Sequence, residues 1–284
     1  LLVYLAYVLY APLYIGGPII TFNSFLSQMV IPQTEYDRRQ KALYLLRNAF
    51  NFLFMEVFLH FFYVGAITYM SFRYSVPGTD PQTQRRTQTP LIKYLTRMSD
   101  DEIDPLNYEE ILFYSYWSLK FLWLKFLLIW RFFRCWAVLD DICPPENMKR
   151  CMSNNYTIGG FWRSWHSSYN RWLIRYLYIP LGGNAVSTAR QIVNIGVVFM
   201  FVAIWHDLEL HLLAWAWILT IFLLPEIVAS RIQNTAAFKV YFEQRPLLET
   251  VVYAMAGAAN IMILKAANIV GYTIGLDAIG LLVP

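Results

Sequence analysis

The run Gln191–His206, QIVNIGVVFMFVAIWH, contains no Asp, Glu, Lys or Arg and closes on a Trp-His pair. A helix that crosses a bilayer needs about 20 mostly apolar residues, and this run approaches that length on its own. It has companions. No charged residue precedes Glu35, and Leu212–Pro225 and Thr250–Leu264 are also uncharged. Of the 284 residues, 57% are hydrophobic, 18% aromatic and 15% charged, where a soluble domain carries about 25% charged residues. Mean hydropathy is +0.39. These runs predict an all-α, polytopic transmembrane helical bundle, a single membrane domain over residues 1–284.

The formal net charge of +4 comes from scattered bases rather than a tail, which argues against nucleic-acid binding. Arg38, Arg39, Lys41 and Arg47 cluster after the first hydrophobic segment, and the positive-inside rule places that cluster in the cytoplasm. Cys135, Cys143 and Cys151 lie eight residues apart with no CxxC pattern, so neither a disulfide framework nor a zinc site is read. The chain opens at Leu1 in an apolar run without a basic leader. No signal peptide is read there, and further membrane segments are expected upstream.

Six spans are expected: Leu1–Gln28, interrupted by Pro12 and Gly16-Gly17-Pro18; Asn48–Met70; Ile111–Leu139; Gln191–His206; Leu208–Val228; and Val251–Val270. Ile31–Arg47 reads as a polar loop or interfacial helix, and Arg73–Pro105 as a solvent loop. Asp140–Gly160 and Arg231–Glu249 read as polar connections. In the third span, Lys120, Lys125, Arg131 and Arg134 either snorkel to the interface or line a polar cavity suited to an anion. Glu56 and His60 stand four apart on one helix face, an arrangement that fits an interior pair.

Upstream of the opening run lies Phe161–Gly183, FWRSWHSSYNRWLIRYLYIPLGG. As one helix, Trp162, Trp165, Tyr169, Trp172 and Tyr176 would form an aromatic face. Arg163, Arg171 and Arg175 would form a second stripe, with His166 and Asn170 on a polar strip. Pro180 and Gly182-Gly183 would stop the helix. An interfacial anchor explains the aromatics and arginines. It does not explain a histidine and an asparagine on one strip, with a second histidine, His206, 40 residues later. Ionisable groups at membrane depth mark functional sites, so His166 and His206 are the candidate chemical groups. His206 and His211 lie five apart with no HExxH, which disfavours a metal site. Ser164, Ser167 and Ser168 lack a GxSxG elbow.

The motif WRSWHxSxNRWLxRYxYIPLGG, followed by an apolar span ending in Trp205-His206, resembles the membrane-bound O-acyltransferase (MBOAT) superfamily. Within it the likeness is to the fungal glycerol-uptake-protein branch, related to the Hedgehog acyltransferases. LYAPLYIGGPIITFNSF (Leu9–Phe25) and GYTIGLDAI (Gly271–Ile279) extend the resemblance across nearly the whole chain.

The resemblance implies transfer of a long acyl chain from acyl-CoA, a co-substrate rather than a bound cofactor, to a lipid hydroxyl. In this branch the implied acceptor is a lyso-glycosylphosphatidylinositol (lyso-GPI) anchor in the endoplasmic reticulum membrane. The family histidine maps to His206, read as general base. The second active-site position maps to His166, where many lipid-acylating relatives carry Asn, and is read as an orienting or oxyanion group. Substrate contacts are expected from Trp165, Asn170 and Trp205, with Arg163, Arg171 and Arg175 facing CoA phosphates. Two other readings stay open: a glycerol transporter or uptake regulator, proton-coupled through its intramembrane His and Glu, and a catalytically silent scaffold. A transporter is expected to show repeat halves with paired broken helices, and no such symmetry is visible.

Overall fold

The computed structural model describes residues 1–61, 108–269, 271 and 272. The expected loop Arg73–Pro105, the end of the second span and most of the Gly271–Ile279 motif lie outside these residues. Among them every regular element is helical. The chain is a multi-pass helical membrane protein: four helices are long and apolar enough to cross a bilayer, Arg38–Phe61, Thr188–His206, Leu212–Gln233 and Pro246–Asn268.

Two compact units form, with boundaries inside long helices. The first comprises Leu1–Phe58 and Leu122–Val198, the second Leu59–Phe121 and Phe199–Pro284. The first unit opens with three short helices, α1 (Leu2–Leu9), α2 (Ala11–Tyr14) and α3 (Phe22–Val30). The expected span over Leu1–Gln28 is therefore broken, as its prolines and glycines foretold. A side chain on Gly17 would collide with the Pro12 carbonyl, so the chain turns there only with glycine. Thr21 caps α3, accepting from Ser24 N–H at 3.3 Å, as Ncap threonines do.

Helix α4 (Arg38–Phe61) starts ten residues before the expected span and takes in the basic cluster. Of the two readings of Ile31–Arg47, loop or interfacial helix, the first residues are loop and the rest is helix, continuous with the span. Arg, Gln, Lys, Ala and Leu are all strong helix formers, so polarity there does not mean irregular structure. Helix α5 (Tyr108–Leu139) covers the expected third span. It is long but not among the apolar four; with Leu1–Gln28 broken into short helices, four of the six expected spans are matched by membrane-length helices among the described residues. Asp141, left-handed at φ 64, follows its end.

Loop 140–157 is the structural hub of the first unit. Ile20, Phe25, Ala137 and Ile142 are buried together, with Tyr7, Tyr10 and Leu13 packed on them. Tyr10 donates to Asp140 at 2.7 Å, the Cys143 N–H donates to Gln28 Oε1 at 2.6 Å, and Lys41 pairs with Asp141 at 2.6 Å. That last hydrogen bond holds the Asp141 carboxyl below its usual range.

Then follow α6 (Ile158–Ser164), α7 (Ser167–Leu173) and a π-helical turn (Ile174–Tyr178). Helix α8 (Thr188–His206) leads into the second unit, with α9 (Leu210–Gln233), α10 (Ala236–Glu243) and α11 (Pro246–Ile269). The expected polar connection Arg231–Glu249 contains α10, started by Thr235 accepting from Phe238 N–H at 3.3 Å. Pro225 lies inside α9, a placement that membrane helices tolerate.

Candidate active site

Phe161–Gly183 does not form one helix. Thr157 caps α6 by accepting from Gly160 N–H at 3.0 Å, and α6 ends when Trp165 N–H returns to the Phe161 carbonyl at 2.8 Å. His166 then turns left-handed, φ 44 and ψ 50, and α7 begins at Ser167. The single aromatic face expected from Trp162 to Tyr176 is therefore split at Trp165-His166. No Gly or Pro marks the break, which is imposed from loop 140–157. The Asn147 carbonyl accepts from Ser167 N–H at 3.1 Å, and its Oδ1 accepts from Ser168 N–H at 3.0 Å. Ser168 Oγ in turn accepts from Ile19 N–H at 2.9 Å. The serines near His166 are thus tied into the fold.

A left-handed non-glycine residue costs about 1–3 kcal/mol. Two backbone N–H bonds to Asn147 return about 0.5–1.5 kcal/mol each. Ring contacts add more. The imidazole of His166 lies parallel to Trp130 at 4.4 Å between centroids and meets Tyr169 at 5.0 Å. Aromatic contacts of this kind are worth about 0.5–1.5 kcal/mol beyond their burial, so the turn is held despite its strain. Burial pushes the Tyr169 hydroxyl up to about 12, so it stays protonated beside the imidazole.

The other upstream candidates surround this turn. Trp165 is packed inward, stacked on Phe161 at 5.7 Å and edge-on to Trp130 at 6.0 Å. Asn170 lies one turn into α7, its N–H donating to the His166 carbonyl at 3.0 Å. Arg163, Arg171 and Arg175 are exposed, and none is in an ion pair among the described residues. Lys149 joins them: burial and the nearby Arg171 guanidinium lower its ammonium below the usual lysine value. Gly182 (φ 110) and Gly183 (φ 52) end the segment in left-handed conformations, where the sequence placed its stop.

In the second unit His206 is exposed at the last position of α8. Its imidazole is edged by Trp205 at 4.9 Å, Trp215 at 6.0 Å and Tyr272 at 6.0 Å. Trp215 is buried and donates to Asn268 Oδ1 at 3.3 Å. The Asn268 amide is anchored on the Leu264 carbonyl at 2.7 Å. Gly271 lies so close to Trp215 that a Cβ would come within 2.8 Å of its ring. An imidazole at the end of an apolar helix, edged by three rings, is chemically able to accept a proton.

The family model of the membrane-bound O-acyltransferases matches residues 1–264. The chain belongs to the membrane-bound O-acyltransferase family. It is 40% identical over 277 residues to membrane-bound O-acyltransferase GUP1 of Millerozyma farinosa, covering 96% of this chain and 47% of that protein. It is 37% identical over 276 residues to gup1 of Schizosaccharomyces pombe, covering 97% and 41%. With the protein-cysteine N-palmitoyltransferase HHAT of Mus musculus it shares 27% identity over 217 residues, covering 75% and 37%. The chain therefore spans less than half the length of these curated relatives.

In this MBOAT chain the sequence motif located the two histidines and the arginines. It missed Asn147, Trp130, Lys149 and Trp215, which hold or flank them. Trp130 and Trp215 looked like ordinary span aromatics. Asn147 sits in a polar connection, and nothing in its neighbours signals that its side chain organises a turn 20 residues on.

Proposed function

We propose that the chain carries the chemical groups of an endoplasmic-reticulum O-acyltransferase that moves a long acyl chain from acyl-CoA to a lipid hydroxyl, the acceptor being a lyso-GPI. The observation that carries this reading is the ring-framed imidazole of His206 in a chain that belongs to the MBOAT family over residues 1–264.

His206 acts as general base. A neutral imidazole takes the acceptor proton as its oxygen attacks the thioester carbonyl. The tetrahedral oxyanion collapses, the carbon–sulfur bond breaks, and the CoA thiolate leaves with the proton returned by the imidazolium. The products are an ester and CoA thiol. His166, fixed in its turn by Asn147 and Trp130, orients a partner or donates to the oxyanion. Arg163, Arg171, Arg175 and Lys149 supply cations for CoA phosphates, and Trp205 and Asn170 line the substrate path.

Full-length protein in detergent, offered labelled palmitoyl-CoA and a panel of lyso-lipids, tests the donor and acceptor. Labelled product is expected with lyso-GPI and not with glycerol-3-phosphate. Equal product with every acceptor would contradict the acceptor assignment, and no product with any acceptor would contradict the reaction.

A further inference from the structure

A cavity of about 530 Å3 opens in the first unit beside the amino-terminal half of α4, among residues that the acyl-transfer reading does not use. Its size falls within the range of small-ligand pockets, about 300–1,000 Å3. Two carboxylates (Glu35, Glu146) and two guanidiniums (Arg47, Arg131) line it. Glu146 is already neutralised, by Arg131 at 3.4 Å and by the buried Arg134 at 3.8 Å. Among the described residues Glu35 accepts from the Cys143 thiol, at 3.2 Å, and is in no ion pair. Arg47 is in no ion pair among the described residues. One positive and one negative charge therefore remain open on the cavity wall.

Arg47 lies nine residues into α4, where the basic start of that helix gives way to its apolar stretch. A cation at such a boundary sits at headgroup level, where lipid phosphates are natural partners. One turn further on the same face, Asn51 also lines the cavity, and its amide nitrogen is buried without a hydrogen-bond partner. Between them Asn48, 4% exposed, has an amide oxygen in the same condition. Unmet polar groups of this kind cost about 1–3 kcal/mol each, and the terminal amide torsion is soft enough to turn them toward a ligand. The cavity thus offers a donor pair, Arg47 and Asn51, and an acceptor pair, Glu35 and Asn48.

We propose that this cavity holds the headgroup of a diacyl phospholipid bearing both a phosphate and a primary ammonium, as a resident lipid of the protein. The phosphate answers Arg47 and Asn51, and the ammonium answers Glu35 and Asn48. A purely anionic headgroup leaves the acceptors unmet. A quaternary ammonium has no N–H to donate, and the aromatic rings that would hold it are already taken: Arg134 lies over Tyr36 at 5.4 Å and over Tyr44 at 5.1 Å. Leu46, Phe50 and Leu53 are exposed on α4 next to the polar wall, which gives the acyl chains an apolar path. A diacyl lipid with an aminoethyl phosphate headgroup has no free hydroxyl to acylate, so the site is distinct from that of the acceptor.

Lipid retention by the full-length protein, read by native mass spectrometry after delipidation, tests this. The probes are dioleoyl phosphatidylethanolamine, phosphatidylcholine and phosphatidylglycerol, together with free phosphoethanolamine. Phosphatidylethanolamine is expected to be retained about tenfold better than the other two lipids, one charge-assisted contact's worth. Glu35→Gln is expected to remove that preference and Arg47→Gln to weaken retention of all three lipids about tenfold, while wild-type elution on gel filtration shows that both fold. Equal retention of phosphatidylcholine, an unchanged preference in Glu35→Gln, or unchanged retention of all three lipids in Arg47→Gln would overturn the proposal. Free phosphoethanolamine bound as tightly as the lipid would overturn its assignment to a membrane lipid.

Discussion

Asn147 shows how one buried amide can set a distant imidazole. Fully buried, it accepts from Ser168 N–H through its side chain and from Ser167 N–H through its carbonyl. Asn147→Leu keeps the second bond and strands the first donor, a loss of about 1–3 kcal/mol. Thermal unfolding in detergent is expected to show that destabilisation, and Asn147→Asp, which keeps the acceptor, to recover most of it. Equal stability of the leucine variant would show that the turn does not depend on this bond. His166 is suited to a milder change. Asparagine tolerates the left-handed region better than most residues, so His166→Asn is expected to fold normally and to keep partial transfer activity if the side chain orients by hydrogen bonding. Activity as low as in His166→Ala would mean that the imidazole itself takes part.

Elements reveal where sequence reading succeeded and failed. Helix α8 was legible to within three residues at its start and to the residue at its end, because an uncharged run has few alternatives in a membrane. In the sequence the start of α4 is open between loop and interfacial helix, because its basic residues fit either, and its continuity with the span is not visible there. The break between α6 and α7 was invisible: Trp165 and His166 are compatible with a continuing helix, and only the contact with Asn147 overrides that local preference. The same folding partly buries Lys149 and brings it near Arg171, which together depress its ammonium, a cationic pair from two elements. Lys149→Ala with Arg171→Ala is expected to raise the KM for acyl-CoA about tenfold with little change in kcat, the loss of two phosphate contacts. An unchanged KM would return these cations to a role at the membrane interface.

The hub after α5 has its own chemical signature. Burial, reinforced by the Glu35 carboxylate, pushes the Cys143 thiol up from 9.0 to about 11. The thiolate is the reactive form, so it becomes abundant only as pH rises through that value. Alkylation of Cys143 at pH 8 is expected to run about a hundredfold slower than for an ordinary thiol, one decade per unit. Glu35→Gln is expected to speed it. Rapid labelling of the wild-type residue at pH 8 would show that the contact between loop 31–37 and the hub is not maintained.

At the scale of the molecule, four membrane-length helices and family membership over residues 1–264 make this a polytopic MBOAT chain. The class was legible because charge depletion reports directly on the solvent around a helix. The span count was less legible: α5 is long enough to cross but carries Lys120, Lys125, Arg131 and Arg134. Of those, Arg131 and Arg134 both pair with Glu146. The site was readable as a motif and unreadable as geometry, since the groups that fix each histidine come from elsewhere in the chain.

The central claim is that His206 is the base of acyl transfer. It is tested most directly by comparing wild-type full-length protein with His206→Ala and His206→Gln in a labelled acyl-CoA assay at saturating acceptor. General-base catalysis contributes about 10²–10⁴-fold, so both variants are expected to lose at least a hundredfold in kcat while expression, membrane insertion and KM for acyl-CoA hold. Turnover within a few-fold of wild type in either variant would contradict the account.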